Sequence, residues 1–150
     1  MSQSLVKNYV HIVFSTKHRE DFIDEKIEKE LFPYIAVVCK NLESNALQIG
    51  GTDNHIHILC LLSKKIALMR LVQEIKSYSS KWMKTKGKKY ENFFWQDGYG
   101  AFSVTEENVL MMKNYIRHQR QHHQQIHYQD ELIGILEKHR MKYDEKYLWD

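Results

Sequence analysis

Apolar and polar residues alternate along several short stretches of the chain, which is the pattern of β-strands. The clearest of these stretches are residues 9–15 and residues 55–62. Residues 45–49 lead into Gly-Gly-Thr-Asp-Asn at residues 50–54, whose glycines and short polar side chains predict a hairpin turn. An aromatic stretch, residues 93–104, predicts another strand that is interrupted at its Asp-Gly pair. The sequence therefore predicts four strands.

Between these strands, apolar residues recur every three or four positions, as they do on one face of an amphipathic helix. This spacing predicts helices near residues 27–42 and 68–82. Pro33 lies inside the first of them, and its missing N–H predicts a kink or a restart. The order strand, helix, strand, strand, helix, strand predicts a ferredoxin-like α+β fold, in which two helices pack on one face of an antiparallel sheet. The other face is expected to stay available, with the strand of residues 55–62 central.

A third helix is predicted after the last strand, and it ends near His123. Its N-cap is either Ser103 paired with Glu106 or Thr105 alone. This helix adds a C-terminal element to the ferredoxin-like core. A further helix is predicted for about residues 129–139, and the segment after residue 129 is given no catalytic role.

The composition predicts a single globular domain over residues 1–150, because 43% of the residues are hydrophobic, 27% are charged and one is proline. Cys39 and Cys60 are isolated, so neither a disulfide framework nor a Cys-x-x-Cys site is expected. No apolar run reaches the length of a membrane span. We therefore expect a cytoplasmic protein that does not insert into a membrane.

Two histidines, His55 and His57, interrupt one of the apolar strands. Side chains alternate between the faces of a strand, so both imidazoles stand on one face while Ile56 and Ile58 point to the other. Two adjacent imidazoles are half of a site for a divalent metal. Taken alone, the pair also fits surface histidines or hydrogen-bonded core histidines.

Tyr115 and Gln119 lie about one turn apart on the third predicted helix. A tyrosine oxygen can attack a phosphodiester and form a covalent phosphate ester. A divalent cation held by His55, His57 and one oxygen ligand would polarise that phosphate, and Gln119 has a suitable oxygen. The alternative is an ordinary boundary aromatic residue followed by a solvated glutamine.

Basic residues are concentrated between residues 64 and 89, although the net charge of the chain is only +3. They could contact phosphates, and nearby aromatic rings could stack on unpaired bases. Those aromatic residues are Tyr78, Trp82, Tyr90, Phe93, Phe94 and Trp95. The candidate DNA-binding residues are Lys76, Lys81, Lys84, Arg117 and His122. The alternatives are solvated lysines, core positions for Trp82 and Phe94, and a hydrophilic helix end that includes His122 and His123.

Together these features resemble the single-tyrosine HUH transposases, which include small insertion-sequence transposases and REP-associated tyrosine transposases. The resemblance rests on His55-Ile56-His57, on Phe-Trp-Gln-Asp-Gly-Tyr-Gly-Ala-Phe-Ser-Val at residues 94–104, and on the Tyr-x-x-x-Gln pattern within residues 115–123. It extends from the first predicted strand to about His123.

The resemblance implies a DNA transposase that cleaves and rejoins single-stranded DNA at hairpin-bearing element ends. His55, His57 and Gln119 would bind Mg²⁺ or Mn²⁺, while Tyr115 would form a 5′-phosphotyrosine and release a 3′-hydroxyl. Family members form homodimers, and some larger elements encode an RNA-guided nuclease partner, although nothing in this chain requires one. The implied location is the bacterial cytoplasm or nucleoid.

Two other functions share parts of this pattern. A domesticated or replication-type HUH nickase would use the same residues on chromosomal repeats or plasmid origins. A non-catalytic single-stranded nucleic-acid-binding protein would share the fold, and its histidines would be incidental. Paired imperfect palindromes that bound the gene favour a mobile element, whereas DNA binding and biological activity that both survive Tyr115→Phe favour the non-catalytic alternative.

Overall fold

The computed structural model describes residues 2–150 of the chain. Four strands form one antiparallel sheet in the order β2-β3-β1-β4. They are β1 (Asn8–Ser15), β2 (Ala46–Gly51), β3 (His55–Leu62) and β4 (Gly100–Val104). The predicted hairpin of β2 and β3 is confirmed, and β3 lies inside the sheet between β2 and β1. The two glycines predicted to begin the turn belong to β2.

Helices cover both faces of this sheet. They are α1 (Glu25–Asn41), α2 (Leu68–Lys84), α3 (Val109–Arg117), α4 (Gln119–His122), α5 (Tyr128–Lys138) and α6 (Glu145–Leu148). Short 3₁₀ turns are formed by Lys17–Arg19, Lys88–Tyr90 and Glu106–Asn108. The order β1-α1-β2-β3-α2-β4 confirms the predicted ferredoxin-like core, an antiparallel sheet packed by helices. None of the helices within residues 2–150 is long and apolar enough to span a membrane.

The first helix continues through Pro33 as one element of 17 residues, so the predicted restart is wrong. Ile27 and Leu31 before the proline and Ile35 after it are all buried on the same side of the helix. Packing of this face supports the helical backbone even though the proline lacks an N–H.

The first face of the sheet, covered by α1 and α2, is apolar. Its buried residues are Val10, Ile12 and Phe14 from β1 together with Ile56, Ile58 and Cys60 from β3. These are alternate positions of the two strands, as the sequence predicts. Their burial removes a continuous apolar surface from water, which is the main driving force for folding.

The second face is covered by α3, α4 and α5, so the prediction that it stays available is wrong. Val13 of β1 and Phe102 of β4 pack against apolar side chains of α5. Those α5 residues are Tyr128, Leu132 and Leu136, which are spaced four residues apart. Packing on this face removes the apolar stripe of α5 from water.

Helix α3 approaches the sheet closely beside the histidine strand. Gly50 of β2 pairs with His57 of β3, and a Cβ atom on Gly50 would collide with the backbone carbonyl of Ile116 in α3. Only a glycine permits this approach of two backbones.

The third predicted helix is divided in two at His118, whose φ and ψ are −103° and 27°. The Nδ1 atom of His118 lies 2.7 Å from the carbonyl oxygen of Asn114, so the side chain competes with the backbone for that acceptor. Neither predicted N-cap forms, because Ser103 lies in β4 and Thr105 makes no capping side-chain hydrogen bond.

Candidate active site

A buried cluster of metal-ligating side chains lies between β3 and the helices that cover it. It contains His55 and His57 from β3, His123 just after α4, and Glu131 from α5. One ligand atom from each residue lies within 4.8 Å of all the others. The two predicted histidine ligands therefore meet two further candidate ligands from the C-terminal part of the chain.

Glu131 is at the centre of this cluster. Its Oε1 atom lies 3.0–3.4 Å from the Nε2 atoms of all three histidines. Its Oε2 atom accepts hydrogen bonds from the Tyr115 hydroxyl and from the Gln119 amide at 3.0 Å. One carboxylate therefore connects the candidate metal ligands to the candidate nucleophile.

The outer ring nitrogens of His55 and His123 are held by neighbouring oxygens. His55 Nδ1 lies 2.8 Å from Oδ1 of Asn54, and His123 Nδ1 donates to the carbonyl oxygen of Ile126 at 2.6 Å. A carbonyl oxygen can only accept, so Nδ1 of His123 carries a proton. Such bonds orient each ring and direct its Nε2 atom toward Glu131, where a bound cation would take the place of the Nε2 proton.

The ring of His57 is held by a further histidine, His11 of β1. The Nδ1 atom of His57 lies 2.8 Å from Nε2 of His11, and the two rings stack with their centroids 5.0 Å apart. Burial, reinforced by His57, lowers the pKa of His11 to about 3, so its ring is neutral. His11 therefore orients His57 and leaves its Nε2 atom facing Glu131.

The protonation states of His55 and Glu131 suit a cation. Burial lowers the pKa of His55 to about 4 and keeps this imidazole neutral. Burial alone would raise the pKa of Glu131, but hydrogen bonds from His123, His55 and His57 outweigh it and hold that pKa well below its usual range. Neutral imidazoles and an ionised carboxylate are the forms that bind metals. The donor set therefore fits a divalent cation.

Tyr115 of α3 points toward this cluster and is partly buried. Its hydroxyl donates to Oε2 of Glu131, and its ring meets that of His57 edge to face at 5.8 Å. Burial and the negative charge of Glu131 raise the pKa of the phenol above its usual range. Tyr115 is therefore protonated at rest and needs a proton acceptor before it can act as a nucleophile.

Gln119 is buried at the start of α4, between His55 and Glu131. Its Oε1 atom lies 3.1 Å from Nε2 of His55, and its amide nitrogen donates to Glu131. The structure thus brings Gln119 and Tyr115 to the histidine pair, although the helix between them is broken. The role of Gln119 as a metal ligand stays a prediction.

Sequence reasoning missed Glu131 and His123. A signal for Glu131 exists, because it lies on the same buried stripe of α5 as Tyr128 and Leu132. A carboxylate on an apolar stripe requires a buried partner. His123 has no comparable signal, since it follows other polar residues at the end of α4 and matches a hydrophilic helix end.

Two of the candidate DNA-binding lysines are engaged within the protein. Lys76 donates to the carbonyl oxygens of residues 96–98 at 2.7–3.2 Å, and Lys84 donates to that of Phe93 at 2.6 Å. Burial lowers the pKa of Lys76 to about 8. Both lysines anchor the segment that precedes β4.

The other candidates for DNA binding differ in position. Lys81 and Arg117 are exposed, so their positive charges are accessible to the phosphates of a DNA strand. His122 lies at the edge of the cluster, with its Nε2 atom 3.5 Å from Oε2 of Glu131.

The candidate stacking residues separate into core and surface groups. The buried members are Tyr90, Phe93 and Trp95. Trp82 packs against the core, as one of the alternatives predicts, but Phe94 is 52% exposed, so its predicted core position is wrong. Phe94 and Tyr78, which is 51% exposed, are the rings of this set that bases could reach.

The chain is similar to known transposases in sequence and in fold. A family model described as "Transposase IS200 like" matches residues 4–119, whereas no curated protein shows significant similarity to the chain. A Deinococcus radiodurans R1 protein described as a "putative transposase" has a TM-score of 0.62 and 16% identity, over 77% of this chain and 95% of that one. A REP-associated tyrosine transposase bound to a REP hairpin has a TM-score of 0.56 and 16% identity, over 77% of this chain and 70% of that one.

The family match covers most of the chain and contains His55, His57, Tyr115 and Gln119. It ends before His123 and Glu131, the cluster members that sequence reasoning missed. At this level of identity, the two solved structures show a shared fold. The family resemblance stated from the sequence is confirmed by the family match: the chain belongs to the IS200-like transposases.

Proposed function

We propose that this chain cleaves and rejoins single-stranded DNA at hairpin-bearing ends through a covalent bond to Tyr115. The observation that carries the proposal is the convergence of two groups on Glu131. The Tyr115 hydroxyl contacts one carboxylate oxygen, and three imidazoles surround the other. Membership of a transposase family indicates the reaction class, which is DNA strand cleavage and transfer.

His55, His57, His123 and Glu131 would hold the divalent cation, and the Gln119 oxygen lies next to them. Bound there, a cation supplies the charge that polarises the scissile phosphate and stabilises the transition state. Of the two predicted ions, this donor set favours Mn²⁺, because Mg²⁺ prefers oxygen ligands and retains its waters.

Tyr115 and Glu131 together provide the proton transfer that cleavage requires. The phenolic oxygen attacks phosphorus, its proton passes to Oε2 of Glu131, and the bond from phosphorus to the 3′-oxygen breaks. The departing 3′-oxygen takes a proton from solvent, and the 5′-phosphate stays on Tyr115. In the second step, the 3′-hydroxyl of another DNA end attacks this ester and gives its proton to solvent. The bond from phosphorus to the phenolic oxygen breaks, and Glu131 returns the proton to the phenol. The number of phosphodiester bonds is conserved, so no external energy source is needed.

Hairpin-bearing DNA is the proposed substrate because a structural neighbour with the same fold is bound to a REP hairpin. Exposed Lys81 and Arg117 offer phosphate contacts, and the exposed rings of Tyr78 and Phe94 offer stacking surfaces. A homodimer stays a prediction from the family resemblance.

The test is incubation with a hairpin-bearing single-stranded DNA and Mn²⁺, followed by a denaturing gel. We expect wild-type protein to form a covalent protein–DNA adduct, and both Tyr115→Phe and chelation of the metal to abolish it. Tyr147→Phe is the matched control, since it removes a phenol that is 60% exposed on α6 and should leave the adduct unchanged.

Three other outcomes of this test would each contradict a different part of the proposal. An adduct that persists in Tyr115→Phe would mean that another residue is the nucleophile. Binding of hairpin DNA by wild-type protein without any adduct would favour the non-catalytic alternative. Adduct formation on DNA that lacks paired palindromic ends would favour the nickase.

A further inference from the structure

Two cavities border the histidine cluster; both contain carboxylates, but only the second contains a lysine and borders Tyr115. The first has a volume of about 330 Å³ and is lined by His123 and by the carboxylates of Asp21, Glu25 and Asp53. Arg120 also lines it, but its guanidinium is paired with Asp53 at 2.7 Å. These carboxylates oppose the approach of a phosphate.

The second cavity, of about 360 Å³, lies between α3 and α5 and is bordered by Tyr115 and Glu131. Lys138 lines another part of it, so one cationic side chain is available to a phosphate. Asp130 adds a hydrogen-bond acceptor of the kind that binds exocyclic amino groups of bases. Of the two cavities, this one suits a nucleotide and also reaches the candidate nucleophile.

Most of the surface of the second cavity is apolar. Met111 and Met112 of α3 line one side, and Gly134 and Ile135 of α5 line the other. Methionine side chains are flexible and polarisable, so they pack well against flat aromatic groups. The cavity volume lies within the range of about 300–1,000 Å³ that is typical of small-molecule sites.

We propose that this cavity binds the base of a nucleotide next to the phosphodiester that Tyr115 attacks. The inference rests on the proposed function, which places that phosphate at the Tyr115 hydroxyl. A base on an adjoining nucleotide is then within reach of the cavity, because Tyr115 lines the cavity. Docking of the base between Met111 and Ile135 holds the phosphate in line with the phenolic oxygen and thereby selects the bond that is cut.

Gly134 allows this cavity to be filled without disturbing the fold. A Cβ atom added there would meet no atom within 4 Å, apart from its own helix and chain neighbours. The series Gly134→Ala, Gly134→Leu and Gly134→Trp therefore reduces the cavity in steps, and none of these changes should lower the melting temperature. Gln129→Trp is the matched control, because it places the same bulky ring at an exposed position of α5 outside the cavity.

The probe is a hairpin oligonucleotide selected for binding from a pool with a randomised single-stranded flank. Its affinity is measured by fluorescence anisotropy on proteins that also contain Tyr115→Phe, and the adduct rate is measured with Tyr115 intact. We expect Gly134→Trp to weaken binding and slow the adduct by about tenfold, equivalent to the loss of one base contact. Gly134→Ala and Gly134→Leu should have smaller effects that increase with the size of the side chain, whereas Gln129→Trp should match the parent protein.

An abasic site scanned through the flank identifies the bound nucleotide. At one position, removal of the base should weaken binding to the parent protein but cause no further loss in Gly134→Trp. Equal affinity and equal adduct rate for Gly134→Trp and its parent would overturn the inference, even if adducts form. Conversely, base-dependent binding with no adduct in wild-type protein would support the cavity and overturn the proposed cleavage, so the two failures are distinguishable.

Discussion

The two faces of the sheet use the same strands but bury opposite kinds of side chain. On the first face, Ile56 and Ile58 of β3 pack against α1 and α2 in a wholly apolar environment. On the second, the alternate residues His55 and His57 are equally buried but form a polar network under α3 to α5. Neighbouring residues of β3 therefore belong to different sites: one points into the folding core and the next points into the candidate active site.

This difference indicates a division between stability and function. Apolar burial stabilises the first face directly, whereas each imidazole and carboxylate of the second loses water and must regain a partner in the protein. Glu131 provides most of those partners, and its own charge is offset by hydrogen bonds from the rings. We expect changes on the first face to affect folding and changes on the second to affect metal binding and DNA cleavage.

The largest effect on stability should come from the first face. Ile58→Ala removes a fully buried side chain and should lower the free energy of unfolding by about 2–5 kcal/mol, as measured by urea denaturation. Leu110→Ala, at a residue that is 69% exposed on α3, is the control. If the two variants were equally stable, the first face would not be the folding core.

On the second face, the largest effect should be on the gain in stability that bound metal provides. At a concentration one hundred times its Kd, Mn²⁺ should stabilise wild-type protein by about 2.7 kcal/mol in thermal unfolding. His57→Ala, His123→Ala and Glu131→Gln should each lose most of this response, whereas His139→Ala, outside the cluster, should retain it. Full stabilisation of Glu131→Gln by Mn²⁺ would show that Glu131 is not a ligand.

A smaller effect should separate structural lysines from DNA-binding ones. Lys76→Met leaves three carbonyl oxygens without their donor and should cost about 1–3 kcal/mol of stability. Lys81→Met should leave stability unchanged but reduce the slope of DNA affinity against salt by about one. The comparison fails if Lys81→Met destabilises the protein as much as Lys76→Met does.

The smallest effect concerns Asp24, the N-cap of α1, which accepts a hydrogen bond from Ile27 N at 2.8 Å. Asp24→Ala should cost about 1 kcal/mol at neutral pH. Hydrogen bonds from Lys89, Tyr90 and Ile27 hold the pKa of Asp24 below its usual range. Its stabilisation is therefore present above about pH 4 and is lost as the pH falls toward the lowered pKa.

Asp24→Asn isolates the charge, because the amide oxygen can still cap the helix. Urea denaturation between neutral and acidic pH should show a smaller loss of stability in Asp24→Asn than in wild-type protein. Identical pH dependence in the two proteins would show that the ionised carboxylate contributes nothing.

The first face could be predicted from the sequence because its signal is local. Alternation of apolar residues in β1 and β3 defines both the strands and the side that is buried. Tyr115 and Gln119 could be placed near His55 and His57 because the family resemblance links these distant segments. Local helical spacing alone placed them on one continuous helix, which the structure divides at His118.

The rest of the site could not be predicted because it depends on which helices cover the second face. Glu131 lies 74 residues after His57, and no spacing rule joins a strand to a helix at that separation. The apolar stripe of α5 predicts that the helix is buried, but it does not specify the surface on which it packs. The roles of His123 and Glu131 follow only once α5 is placed over β3.

The missing side chain at Gly50 has a mechanical consequence. The carbonyl of Ile116 occupies the space that a Cβ atom would need, and Ile116 directly follows Tyr115. A methyl group at position 50 would therefore act as a spacer that pushes the helix of Tyr115 away from the strands of the sheet. The distance between the nucleophile and the histidines is thus adjustable at a residue that belongs to neither.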